Sequence, residues 1–168
     1  MSMRALQALS AVVLATAVGI CCTATAAADQ AWGINGAFAT SSNGDWAKLN
    51  ERYENQPSER ETWTISTQCI SPTECTGTVQ SDAGWTAPIY TTSGLWYLKR
   101  TIPDWRFCAD GAAIEGFQEY RIYPVGADGH YDGAANEYTG ENRVIGPSGS
   151  CGRNQPPVIR MPFYMKKL

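Results

Sequence analysis

A leader-like segment followed by four cysteines constrains this 168-residue chain more than any other feature. Arg4 supplies a positive charge ahead of a short apolar run, Ala5 to Ile20 (ALQALSAVVLATAVGI). The small residues Ala24-Thr25-Ala26-Ala27-Ala28 then offer A-x-A cleavage sites. That order is the order of a secretory signal peptide. The run is short for a membrane anchor, which needs about 20 apolar residues, and it ends without stop-transfer charges. Cys21 and Cys22 are poor lipidation sites, because neither follows a small residue. The expectation is that residues 1–28 are removed and that 29–168 form one secreted domain with no further membrane span.

The compartment decides how the remaining cysteines are read. Cys69, Cys75, Cys108 and Cys151 are an even set in an exported chain, which implies two disulfides. Four cysteines allow three pairings. Cys69 and Cys75 flank Ile70-Ser71-Pro72-Thr73-Glu74, which has the composition of a turn between two strands. The simplest pairing is therefore Cys69–Cys75, leaving Cys108–Cys151. On the chain-entropy account the short loop is worth about 2 kcal/mol and the long one about 4. Four thiolates could also bind zinc, but the spacings lack a paired C-x2-C pattern, so no metal site is expected.

Charge narrows the function classes. The formal net charge is -3, and loss of Arg4 makes it one unit more negative. A mildly acidic surface argues against non-specific nucleic-acid binding, which needs a basic face. Only 17% of residues are charged, while tryptophan and tyrosine are plentiful, as in a folded domain rather than a disordered one.

Along the chain the rhythm is strand, turn, strand. In Glu61 to Cys69, Trp63, Ile65, Thr67 and Cys69 share one face, and Thr62, Thr64, Ser66 and Gln68 share the other. Further strands are expected at Thr76 to Ser81, Trp85 to Thr91, Leu95 to Ile102, Trp105 to Cys108, Phe117 to Val125 and Val158 to Tyr164. Pro162 would hold the last of these at a sheet edge or bulge. One helix is a candidate, Asp45 to Tyr53, where Trp46, Leu49 and Tyr53 fall at i, i+3 and i+7; a short strand fits about as well. Gly126 to Gly140 and Gly146 to Pro157 read as long loops. Many short strands with no βαβ rhythm predict an all-β antiparallel domain, either a small barrel or a two-sheet sandwich.

Each candidate for chemistry has a plainer explanation beside it. His130, the single histidine, lies in the Asp128-Gly129-His130-Tyr131-Asp132-Gly133 loop, where a solvated side chain is the ordinary case. A hydrolase would need a carboxylate pair held about 5 to 10 Å apart. Asp104, Asp110, Glu115 and Glu119 are candidates, and turn duty already explains Asp104 beside Pro103 and Asp110 beside Gly111. Asp128, Asp132, Asn136 and Glu137 offer oxygens that calcium favours, without EF-hand spacing. The tail Lys166-Lys167 is basic and expected to be solvated.

Aromatic residues carry the one hint of a binding site. Trp32, Trp46, Trp63, Trp85, Trp96 and Trp105 are expected mostly in the core. Trp85 and Trp96 fall on neighbouring predicted strands, which predicts a cross-strand packing pair. Adjacent strand residues point to opposite faces, so one of Trp96 and Tyr97 faces out. Tyr90, Trp96 and Tyr97 are therefore the candidate ligand-binding residues.

The segments GAFATSSNGDWAKLNERY, TWTISTQCISPTECTGTVQSDAGWTAPIYTTSGLWYLKR, PDWRFCADG and GPSGSCGRNQPPVIRMPF resemble small secreted proteins of unknown function from mycobacteria. The likeness covers most of the chain after the leader. It implies secretion, two disulfides and a compact β fold, and carries over no catalytic or ligand residue. The expected molecule is a monomeric, secreted, non-enzymatic binding or interaction module of the cell envelope, without a cofactor, whose partner is a lipid or a glycan. The alternatives are an envelope hydrolase using a carboxylate pair and a structural or host-facing protein with no small ligand.

Overall fold

The computed structural model describes residues 32–168, so the leader and its cleavage site lie outside the described residues. Ten strands form a single antiparallel sheet: β1 (Gly36–Ser42), β2 (Lys48–Leu49), β3 (Arg52–Tyr53), β4 (Glu59–Ser71), β5 (Glu74–Ser81), β6 (Thr86–Thr92), β7 (Leu95–Phe107), β8 (Ala113–Pro124), β9 (Glu137–Ile145) and β10 (Val158–Lys167). Eight of them close on themselves in the order β1-β4-β5-β6-β7-β8-β9-β10, and β10 pairs back onto β1. The choice left open between barrel and sandwich is therefore settled as an eight-stranded barrel. The β2–β3 hairpin stands outside the ring, attached to β10 at Ile159↔Leu49 and Arg160↔Lys48. No helix among the described residues is long and apolar enough to cross a membrane.

An eight-stranded barrel has an interior that side chains just fill. Here the inward apolar positions of β4 (Trp63, Ile65, Cys69) meet Phe38, Val79, Ile89, Leu98, Tyr120, Ile122, Phe163 and Met165 in one buried cluster. Trp63 sits at its centre. Its ring stacks on Phe163 at 5.2 Å and meets Tyr120 and Trp85 edge-on at 5.0 and 5.4 Å. Each such pair adds about 1 kcal/mol beyond the area it buries. A second, smaller cluster of Ala47, Ile159 and Met161, with Leu49 and Trp105 against it, glues the β2–β3 hairpin to the wall.

Both disulfides form as paired by the sequence argument, Cys69–Cys75 across the β4–β5 turn and Cys108–Cys151 from the end of β7 to the loop before β10. Bonds of this kind persist in oxidising compartments.

Several expectations are corrected. Residues 45–53 are not a helix: a single 3-10 turn, Gly44–Trp46, leads into the β2–β3 hairpin, whose Asn50 and Glu51 both have positive φ. Trp105 to Cys108 is not a separate strand; β7 runs through a bulge between Ile102 and Arg106, with Asp104 at φ 50°. Part of the loop predicted for Gly126 to Gly140 is the start of β9, which fills the ring between β8 and β10. Its inward face includes Gly140 and Asn142, so hydrophobic alternation does not mark it. Trp85 and Trp96 are not a cross-strand pair, since Trp96 stands opposite Thr91 while Trp85 precedes β6 and packs on Trp63. Pro162 has no free sheet edge to occupy. It lies on β10 between the end of the β1 pairing at Phe163 and the start of the β2 pairing at Arg160. There the missing N–H faces a gap, and the Pro162 carbonyl accepts from the Asn43 amide at 2.9 Å.

Candidate functional site

The predicted aromatic residues divide between the two sides of the wall. Trp96 is 5% exposed and packs in the barrel interior, so its ring is not presented to a ligand. Tyr97 faces out, as strand parity requires, and stands directly opposite Tyr90. The two rings stack at 5.8 Å with 18° between their planes. Lys99 Nζ lies 5.8 Å from the Tyr97 ring centre and 6.0 Å from that of Tyr90. Glu119 holds Lys99 at 3.1 Å and Arg121 at 2.8 Å. Burial opposes ionisation of Glu119, but hydrogen bonds from Arg121 and Lys99 outweigh it and hold the carboxyl below its usual range. The result is a half-buried outer patch with charges of both signs.

The four candidate acids do not converge. Asp104, Asp110 and Glu115 are exposed, and Glu119 is engaged on the outer wall. The structure brings together a different pair, Glu59 and Glu61. Both point inward from β4 at one end of the barrel, in the same parity as Trp63. Glu61 accepts from Trp63 Nε1 at 2.8 Å, from the Ser81 hydroxyl at 2.6 Å and from Trp85 Nε1 at 3.4 Å. Glu59 accepts from Asn142 Nδ2 at 3.0 Å. Asn142 in turn donates to Ser42 and accepts from Gln118, whose carbonyl takes the Arg100 Nε–H at 2.6 Å. Burial, then the nearby Glu61 charge, push the Glu59 carboxyl above its usual range against the pull of Arg100, Asn142 and Tyr120. Arg100 lies 4.3 Å over the Trp85 ring. This network ties together β1, β4, β5, β7, β8 and β9, and each carboxylate is occupied by protein donors.

In the Gly126 to Gly140 segment, Asp128 and Asp132 direct Oδ1 to the amides of His130 and Ala134. Glu137 pairs with Lys166 at 2.8 Å. Among the described residues no group of three or more His, Cys, Asp or Glu is placed to hold a metal ion.

The most exposed aromatic pair joins the 3-10 turn before β2 to the β2–β3 hairpin. Trp46 is 60% and Tyr53 is 66% exposed, and their rings meet edge-on at 6.2 Å. Lys48 Nζ sits 4.9 Å from the Tyr53 ring centre. Beside Trp46 a shallow groove of about 270 Å³ runs to Glu51, Glu141 and Arg160. The hairpin turns at Asn50-Glu51 and brings Tyr53 opposite Lys48, back against the 3-10 turn that carries Trp46, so residues i and i+7 meet by chain reversal rather than along a helix. Leu49 points the other way, into the small core cluster. Sequence reasoning missed this site because a hairpin turn without glycine carries no hairpin signature. The inward carboxylates were more accessible to it: extending the β4 alternation back from Trp63 places Glu61 and Glu59 on the buried face.

The described residues form a closed, filled, disulfide-braced all-β barrel with an aromatic hairpin on its flank. No family model matches the sequence, and no curated protein matches it. Among solved structures the chain is similar to the monomer form of the M. tuberculosis PknI sensor domain, with a TM-score of 0.55 and 18% identity over 80% of this chain and 87% of that one. At this identity the likeness is one of fold.

Proposed function

We propose that this protein is a non-enzymatic recognition module that works outside the cytoplasm at the cell envelope, and that it binds glycan through the Trp46–Tyr53 pair. The observation that carries the reading is that pair: two large aromatic side chains in contact and mostly exposed at a hairpin braced against the barrel. Isolated exposed aromatics are common, but adjoining ones beside a groove mark interaction sites. Aromatic faces stack on the apolar faces of sugar rings, while Lys48, Glu141 and Arg160 offer hydroxyl partners at the groove. The filled interior turns recognition to the outer surface. The disulfides, the resemblance to small secreted mycobacterial proteins and the fold shared with a domain described as a sensor all support an extracytoplasmic role.

The Tyr90–Tyr97 stack supports a second reading, in which the outer wall of β6 and β7 binds the ligand. It ranks lower because each ring already covers one face of the other. Titration with soluble envelope polysaccharide fragments, read on the backbone amide resonances around each pair, separates the two. The first reading predicts that the Trp46 resonance moves and that Trp46→Ala weakens binding at least tenfold. Loss of binding in Tyr90→Ala, with Trp46→Ala unaffected, moves the site to the second patch. An absence of shifts at either patch removes the glycan reading.

A further inference from the structure

A second crevice lies on the other side of the β2–β3 hairpin, away from the Trp46–Tyr53 pair. It encloses about 450 Å³, a size within the ordinary range of small-ligand sites. Three anchored segments form its walls. One is the hairpin turn, where Asn50 Oδ1 accepts the Val158 amide at 2.8 Å. Another is the end of β7, turned by the bulge at Ile102/Arg106. The third is the loop before β10, which the Cys108–Cys151 bond pins to that strand end. Asn50 and Cys151, both lining residues, adopt left-handed backbone with φ of 47° and 55°. Non-glycine residues in that region cost about 1 kcal/mol or more and gather at sites where local geometry matters.

The lining is amphipathic. Leu49, Phe107, Ile114 and Pro157 supply an apolar wall, and Phe107 is 68% exposed. Arg106 and Arg153 supply two guanidinium groups. Glu54 is the only acidic side chain in the lining among the described residues, and it lies 4.0 Å from Arg106. Arg153 forms no ion pair among the described residues. The crevice therefore carries an excess positive charge on a chain that is net acidic overall.

We propose that this crevice binds a small organic anion with an apolar tail, the chemistry shared by alkyl phosphates and fatty acids. The guanidinium of Arg153, assisted by Arg106, takes the anionic head. Guanidinium presents paired N–H donors that match carboxylate and phosphate oxygens. The tail covers Phe107 and the wall formed by Leu49, Ile114 and Pro157. This site is separate from the glycan surface, and neither reading depends on the other.

The test is an amide-resonance titration of the intact, oxidised protein with octyl phosphate, octanoate, octyl glucoside and inorganic phosphate, each below its micelle-forming concentration. The proposal predicts that octyl phosphate or octanoate binds, with shifts confined to residues 49–54, 106–114 and 150–157. Whichever anion binds more tightly names the headgroup class. Octyl glucoside and inorganic phosphate, each lacking one half of the recognition, bind at least tenfold more weakly. Arg153→Gln, an exposed substitution that leaves the fold intact, weakens the bound anion at least tenfold, and Phe107→Ser weakens it severalfold. Saturation by octyl glucoside at the same concentration as the anions, shifts mapping to another face, unchanged affinity in Arg153→Gln, or no binding of either anion would each overturn the assignment.

Discussion

Asn142 Nδ2 donates to Glu59 Oε2 at 3.0 Å inside the barrel, joining β9 to β4 across the ring. The two residues are 83 positions apart in sequence. Asn142 is completely buried, and its other contacts, to Ser42 and Gln118, place it at the junction of the polar network. A buried amide that loses a partner costs about 1–3 kcal/mol, so the network favours one arrangement of the strands over shifted ones.

Glu59 makes that network pH-dependent. Its folded-state pKa lies above the ordinary 4.5, chiefly because burial disfavours the charge and because Glu61 is near. Between the unfolded and the folded value the native state holds more protons than the unfolded chain. Stability is therefore highest below about the ordinary carboxyl value and falls as pH rises through the folded pKa. Glu59→Gln keeps an acceptor for Asn142 and removes the charge. The expected result is a gain on the order of 1 kcal/mol at pH 8, on the scale of a buried hydrogen-bonded group, and none at pH 4. Urea unfolding of both proteins across pH 4 to 8 measures it; parallel curves would contradict the assignment.

Gly140 faces inward on β9, where a Cβ would come within 1.8 Å of the Arg121 carbonyl oxygen. That atom is backbone and cannot swing aside. Gly140→Ala should cost about 3 kcal/mol or more by forcing β8 and β9 apart. Thermal unfolding provides the measure, and a variant within about 0.5 kcal/mol of the parent would show that the strands accommodate the methyl group.

The two disulfides should differ in value. Cys108–Cys151 closes a sequence separation of 43 and Cys69–Cys75 one of 6. Replacing the long-range pair by serines should cost about 4 kcal/mol, and the short-range pair about 2, on the chain-entropy account. Denaturant midpoints of the two double variants compare them directly. The long-range variant should also lose the crevice beside the disulfide, whereas the Trp46–Tyr53 surface should persist.

Trp46 and Trp63 should respond in opposite ways. Trp46→Ala removes an exposed ring and should change stability by about 0.5 kcal/mol or less. Trp63→Ala empties the centre of the aromatic cluster and should cost about 3–5 kcal/mol. Calorimetry on the pair checks the division between a surface available for binding and a core committed to the fold. A large loss of stability in Trp46→Ala would mean that its ring has a structural partner.

The sequence by itself determined the class of fold, the cysteine pairing and the parity of the strongest strands. These follow from local physics. Period-two alternation places Trp63, Ile65, Thr67 and Cys69 on one face, and the short turn between Cys69 and Cys75 brings their sulfurs together. Parity also set Trp96 and Tyr97 on opposite faces, without telling which of them is buried. Tertiary structure decided the rest. Closure into a barrel depends on β1 meeting β10, a pairing of chain ends that no local pattern encodes. β9 was hidden because Gly140 and Asn142 occupy its inward positions, where steric clearance and a polar network replace hydrophobic burial. Trp46 and Tyr53 looked like one stripe of a helix, and became an exposed pair because the chain reverses at Asn50-Glu51 while Leu49 is drawn into a small core against Ile159 and Met161. The crevice lined by Arg106 and Arg153 lies between segments distant in sequence, which the Cys108–Cys151 bond holds side by side. Local periodicity can be read along the chain; contacts between segments dozens of residues apart are settled by packing.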